Sequence, residues 1–185
     1  MNLAIKNAFG FAVEVVKIVI LAFAIVIPIR YYLFQPFVIQ GSSMEPNFHE
    51  ADYLIVDELS YRLRAPERGE VIVFKYPLDP SKRFIKRIIG LPGETVETKD
   101  GIVTVYKDGQ KLVLNESKYL TTDLKVPDMG PVTLKNGQYF VLGDNRPYSS
   151  DSQDWGELPA SDIIGKVAFR LWPIDAIEKI SAPLY

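Results

Sequence analysis

Two adjacent serines, Ser42 and Ser43, stand in the short loop "IQGSSMEPNF" (Ile39–Phe48) between a glycine and a proline. A serine hydroxyl attacks a carbonyl only when a base takes its proton. The chain has one histidine and no cysteine, so the choice of base is narrow. His49 could serve in a Ser-His-Asp arrangement. It follows Ser43 in the same loop, in a polar "FHEAD" setting where a solvated histidine is the commoner role. A lysine is the other option, provided that burial against apolar atoms lowers its pKa. In "RFIKRII" (Arg83–Ile89), strand alternation places Phe84, Lys86 and Ile88 on one face and Ile85, Arg87 and Ile89 on the other. Lys86 is thus flanked on its own face by apolar side chains. The competing role is an edge lysine that blocks aggregation. A third segment, "LGDNRPYSSDSQDWG" (Leu142–Gly156), crowds hydroxyls and carboxylates behind a strand. It reads either as a scaffold of fixed side-chain hydrogen bonds or as an ordinary turn region.

These pieces need elements to hold them. With 185 residues the chain can form one domain with a proper core, and 48% hydrophobic against 24% charged residues fits such a domain plus an apolar segment. A net charge of −2 gives no electrostatic case for nucleic acid. The missing cysteines exclude disulfides, thiolate zinc sites and thiol nucleophiles, and a lone histidine excludes a multi-histidine metal centre. The stretch "IVILAFAIVIPI" (Ile18–Ile29) carries no charge, and extension back to Phe9 gives about 20 residues, the length of a membrane span. That extension includes Glu14 and Lys17, spaced to pair on one helix face. Arg30, Tyr31 and Tyr32 follow as an interfacial belt. A cleaved signal peptide is a weaker reading, because its small-x-small motif Ala22-Phe23-Ala24 lies inside the apolar run. A buried helix of the soluble domain is a third. The expectation is a membrane anchor over residues 1–34 and an extracytoplasmic domain over 35–185. Lys6 and Lys17 precede the core of the apolar run and Arg30 follows it, which places the N-terminus inside.

Beyond the anchor the pattern has period two. Strands are expected at Asp52–Val56, Glu70–Tyr76, Arg83–Ile89, Ile102–Tyr106, Lys111–Leu114, Gln138–Gly143 and Lys166–Trp172. Asp108-Gly109 marks a tight hairpin, and "LPGE" (Leu91–Glu94) and "TKDG" (Thr98–Gly101) read as turns. No amphipathic helix is evident after the anchor, and residues 115–137 read as a loop excursion. The fold class is therefore mainly β, with coiled antiparallel sheets in a partly closed barrel behind one N-terminal transmembrane helix.

The order of these segments resembles that of the type I signal peptidases, membrane-anchored Ser/Lys endopeptidases that remove signal peptides from exported preproteins. "SMEPNF", "RGEVIVFKYP", "RFIKRIIGLPGE", "GDNRPYSSDSQDWG" and "GKVAFRLWP" are similar to that family's boxes, in its order, and cover nearly the whole chain. The resemblance implies Ser43, not Ser42, as nucleophile and Lys86 as general base. It implies that Ser149 orients the lysine amine and that Asp151 pairs with Arg87. The Ser43 backbone N–H would serve the oxyanion, and Gly41 stands where some members place a second donor serine. Small residues at −1 and −3 of the substrate would dock against Phe37, Ile39, Met44, Leu54, Val73, Phe84 and Ile85, with the substrate added as a strand beside "RFIKRII" or "FVIQG". The implied partners are preproteins and the lipid bilayer, with no nucleic acid, metal or cofactor. The implied location is a plasma membrane, single-pass, with a thylakoid membrane as the alternative. Two rivals are a catalytically dead peptide-binding β-domain and a Ser/Lys self-cleaving repressor. The N-terminal apolar segment, where a DNA-binding unit would stand, argues against the second.

Overall fold

The computed structural model describes residues 3–32, 34–121, 123–183 and 185. Helix α1 (Leu3–Tyr32) leads the chain. Phe11, Val16, Ile18, Ile20, Leu21, Phe23 and Val26 on it are all exposed. Glu14 and Lys17 pair at 3.0 Å, one turn apart. Among the described residues no helix is long and apolar enough to cross a membrane.

The rest is β. Strands β1 (Phe34–Val38), β2 (Tyr53–Asp57), β3 (Val71–Tyr76), β4 (Asp79–Gly90), β5 (Thr95–Lys99) and β6 (Ile102–Lys107) come first. They are followed by β7 (Gln110–Val113), β8 (Met129–Thr133), β9 (Gln138–Leu142), β10 (Leu158–Pro159), β11 (Ile163–Trp172) and β12 (Glu178–Lys179). Single-turn helices α2 (Ser60–Leu63) and α3 (Ser152–Trp155) punctuate them. One sheet runs β1-β2-β11-β3-β4-β9-β10, with β12 on β11; the other runs β7-β6-β5-β8. All pairings are antiparallel.

All seven expected strands are present, with ends moved by a few residues. The strands that pattern did not reveal have physical reasons to be obscure. Strand β1 contains Pro36, tolerated because β1 is an edge strand that needs no N–H on its open side. Strand β8 contains Gly130 and Pro131 and lies in the segment expected to be all loop. In the expected turn at Thr98–Gly101, Thr98 and Lys99 belong to β5, and only Asp100-Gly101 forms the bend. That pair and Asp108-Gly109 both have positive φ, 53° and 78°, then 50° and 78°, as two-residue hairpins with right-handed strand twist require.

Neither sheet closes into a barrel. From Arg87 onward β4 pairs with β9, but over Arg83–Lys86 its ladder runs to β3 alone. The opposite edge of that half is open, and so is the outer edge of β1. The large sheet coils until these two edges face one cleft of about 610 Å³. The expected barrel is therefore open along a seam, and the seam is the cleft.

Strand β4 also explains how a lysine and an arginine come to be buried. Ile85 packs with Ile39, Met44, Leu54 and Val73. Ile88 packs with Ile72, Phe74 and Val141, and Ile89 with Val96, Phe140 and Leu142. The strand threads all three apolar clusters, so Lys86 and Arg87 are drawn in with it, at 3% and 4% exposure.

Candidate active site

The loop from Ile39 to Asp52 joins β1 to β2 and is closed at its base by Ile39 N–H to Asp52 O (3.1 Å) and Ala51 N–H to Ile39 O (3.0 Å). Met44 and Phe48 plug into the core and pin the turn. Ser43, just before Met44, is half-buried at the cleft, whereas Ser42 is exposed. The segment that follows β9 clamps the turn from behind: Asn145 gives its backbone N–H to Ser43 O (3.1 Å) and its side-chain amide to Ser42 O (3.0 Å).

Lys86 Nζ lies 2.6 Å from Ser43 Oγ. Burial pushes the lysine down to about 8 from the usual 10.5, against the opposing pull of the Asp151 and Asp144 carboxylates. A neutral amine at this distance can accept the serine proton as Oγ bonds to a carbonyl carbon. His49 is exposed, and its backbone N–H donates to Asp52. Gly41 has φ +84°, a conformation that a serine side chain would adopt only with strain.

Arg87 points to the other face, as alternation requires, but its partner is Asp144 and not Asp151. Nε and NH2 of Arg87 donate to the two Asp144 oxygens at 2.8 and 2.6 Å, and NH1 donates to Gly69 O at 2.9 Å. The ladder register decides this, since Arg87 faces Leu142 across β4 and β9 and Asp144 is the first carboxylate beyond that position. Asp144 also accepts from the Asn47 side chain at 2.9 Å, and so ties the Ser43 loop to the lysine strand. Asp151 accepts from the backbone N–H of Gly143 (3.0 Å) and of Gln153 (3.2 Å), the latter as the cap of α3. Burial pushes its carboxyl up, while those bonds and Lys86 pull it down.

The expected Ser149–Lys86 bond is not formed. Ser149 Oγ is buried without a well-formed hydrogen bond among the described residues, although it lies near enough to Asp151 to lower that carboxyl's pKa. It packs over Gly143, where an added Cβ would lie 2.1 Å from Ser149 Oγ and 2.4 Å from Ser43 O. Only glycine fits there.

Of the seven expected pocket residues, Phe37, Phe84 and Ile85 line the cleft with Ser43 and Lys86. Ile39, Met44, Leu54 and Val73 do not. They are buried to 2% exposure or less, on inward faces of their elements, and form the packed layer with Ile85. Gln40, Tyr148 and Ser150 also stand in the walls. Among the described residues no group of three or more His, Cys, Asp or Glu could hold a metal ion.

Residues 12–172 match the family described as signal peptidase, peptidase S26. The chain belongs to that family. Among its relatives, probable signal peptidase I-1 of Synechocystis sp. is 37% identical over 183 residues, spanning 93% of this chain and 88% of that protein. Probable signal peptidase I-2 of the same organism is 40% identical over 170 residues, 89% and 75% of the two chains. Signal peptidase I T of Bacillus subtilis is 35% identical over 171 residues, 88% and 86%. The crystal structure of a signal peptidase I from Enterococcus faecalis matches with a TM-score of 0.46 and 31% identity, over 56% of this chain and 97% of that one.

Sequence reading missed Asp144, Asn145 and Asn47 as site-building residues. A signal existed for the first of them. Once Arg87 was placed on the face opposite Lys86, a buried guanidinium required a carboxylate, and "LGD" directly ends the next strand of the sheet. Asn145 and Asn47 act through contacts between distant loops, which no local pattern encodes.

Proposed function

We propose that this signal peptidase family member cuts signal peptides from exported preproteins after small-x-small sites, with Ser43 as nucleophile and Lys86 as general base. The observation that supports this best is the buried amine 2.6 Å from the Ser43 hydroxyl oxygen at the cleft. Neutral Lys86 takes the proton of Ser43 as Oγ attacks the scissile carbonyl. The Ser43 N–H stabilises the oxyanion, a contact whose loss costs about 3–4 kcal/mol in comparable sites. Lys86 then gives the proton to the leaving amine, and water attacks the acyl-enzyme with the same lysine as base. Asp151 acts by its charge on Lys86, and Arg87 acts through Asp144. Ser149 contributes a buried hydroxyl beside them. No step calls on a metal or cofactor.

The substrate enters as a strand in the seam between β1 and the open half of β4, where backbone groups stand unpaired. Phe37, Phe84 and Ile85 leave room there for Ala or Gly and exclude larger side chains by steric clash. Helix α1 is read as a single-pass anchor that leaves the β domain outside. Its apolar stretch from Phe9 to Ile29, whose only charges Glu14 and Lys17 pair with each other, and its row of exposed apolar side chains support this. The bilayer, of a plasma or thylakoid membrane, then confines enzyme and preprotein to one surface and raises their effective concentration.

The test is cleavage of a preprotein with an Ala-x-Ala site by the full chain in detergent. Ser43→Ala and Lys86→Ala should abolish turnover while Ser42→Ala retains it. Turnover retained by Lys86→Ala would overturn the mechanism.

A further inference from the structure

The cleft that holds Ser43 and Lys86 carries charge of one sign. Among the described residues its lining includes Lys82, Arg83 and Lys86 and no carboxylate. Lys86 belongs to the dyad. Lys82 is engaged by Asp79 at 3.2 Å, on the surface. Arg83 forms no ion pair or side-chain hydrogen bond among the described residues, although its charge is felt at Glu58. Its partner directly across the ladder to β3 is Lys75. Two like charges directly opposed in an antiparallel pair destabilise it, so the arrangement calls for a counter-charge from elsewhere. Both cations also line an adjoining cavity of about 410 Å³, together with Arg62, Glu58 and Asp162. Three cations there outnumber two carboxylates, and Arg83 is the wall common to both cavities.

The spacing says what would meet this charge. Arg83 precedes Lys86 by three residues in β4, about 10 Å at about 3.3 Å per residue. A substrate strand with its scissile carbonyl at Ser43 and its −1 and −3 side chains against Ile85, Phe84 and Phe37 carries its next upstream residues past Arg83. We infer that Arg83, backed by Lys75, forms a subsite that selects an acidic side chain four to six residues upstream of the scissile bond. This rests on the proposed peptidase reading and names a selectivity beyond the small residues at −1 and −3. The interaction is uniform binding, present in ground state and transition state alike, so it acts through KM.

The experiment uses the full chain in detergent micelles and one Ala-x-Ala peptide with Glu, Gln or Lys at −4, −5 or −6 in turn. The readout is the ratio of kcat/KM for Glu over Lys within each enzyme, so the overall level of each variant cancels. At one or more of the three positions the unaltered chain should prefer Glu by about three- to fivefold at low salt, the scale of exposed ion pairs. Salt at about 0.5 M should bring the ratio close to one. Arg83→Gln should abolish the preference and Arg83→Glu should reverse it, and the Gln variant serves should the Glu variant fold poorly. Ratios near one at all three positions in the unaltered chain, or a preference unchanged by either substitution, would overturn the subsite. Failure to cut even the Gln peptides would instead strike the peptidase reading, and the subsite with it.

Discussion

Replacement of Asp144 by Asn keeps the shape of the side chain and removes one charge. Asp144 is fully buried, and its oxygens hold Arg87 at 2.8 and 2.6 Å and Asn47 at 2.9 Å. Arg87 cannot shed its charge to escape. It would retain Gly69 O and the face of the Tyr119 ring, 4.1 Å from its guanidinium carbon. Breaking a buried ion pair from one side costs about 3–5 kcal/mol, and an Asn oxygen that still accepts one bond sets the expectation near the low end, about 3 kcal/mol. In a domain of this size each kcal/mol moves Tm by about 2–4 °C, so Tm should fall by about 6–12 °C. Thermal unfolding of the full chain, followed by circular dichroism, reads this. The double variant Arg87→Leu/Asp144→Leu removes both charges and should recover much of the loss. An Asn variant within about 2 °C of the unaltered chain, or a double variant as unstable as the sum of its singles, would show that the buried pair does not carry this stability. The same change removes one of the two carboxylates that hold the Lys86 pKa up, so the lysine should titrate lower in the folded variant.

Further outcomes follow from the same geometry. With Lys86 at about 8, kcat/KM should fall tenfold per pH unit below that value. About a tenth of molecules would carry the neutral base at pH 7 and about half at pH 8, and a rate independent of pH from 6 to 8 would contradict this. Asp151→Asn, which removes the stronger of the two opposing charges on Lys86, should move that acidic limb to lower pH in the same assay. Gly143→Ala places a methyl against Ser43 O and Ser149. A misplacement of about 1 Å costs about a hundredfold, so kcat should drop far more than KM rises, while overpacking lowers stability by about 1–3 kcal/mol.

Much of the fold was legible because its strands are short runs of β-branched and aromatic residues, as in "IVTVY" and "QYFVL", and because Asp-Gly pairs with positive φ mark two of the hairpins. Strand β1 was hidden by Pro36, and β8 by Gly130 and Pro131. Such strands are held by tertiary pairing and not by local preference. The open seam was not legible, since whether a sheet closes depends on how far β4 pairs with β9. Around the site, alternation in "RFIKRII" placed Lys86 and Arg87 on opposite faces, and the structure keeps them so. The pairing of Arg87 with Asp151 came from resemblance alone and gave way to the register that brings up Asp144. Ile39, Met44, Leu54 and Val73 show the limit of composition. An apolar residue near a site is more often its packing than its lining, and only the direction of the side chain separates the two.

Catalysis by this dyad requires that one lysine amine be uncharged in a sizeable share of molecules near neutral pH, held out of water beside Ser43. A direct measurement is the titration of the Lys86 side chain by NMR, with Nζ and Cε labelled and assigned by loss of the signal in Lys86→Ala. The expected midpoint is near 8, two or more pH units below the bulk lysines at about 10.4. A Lys86 signal that titrates together with those lysines would contradict it.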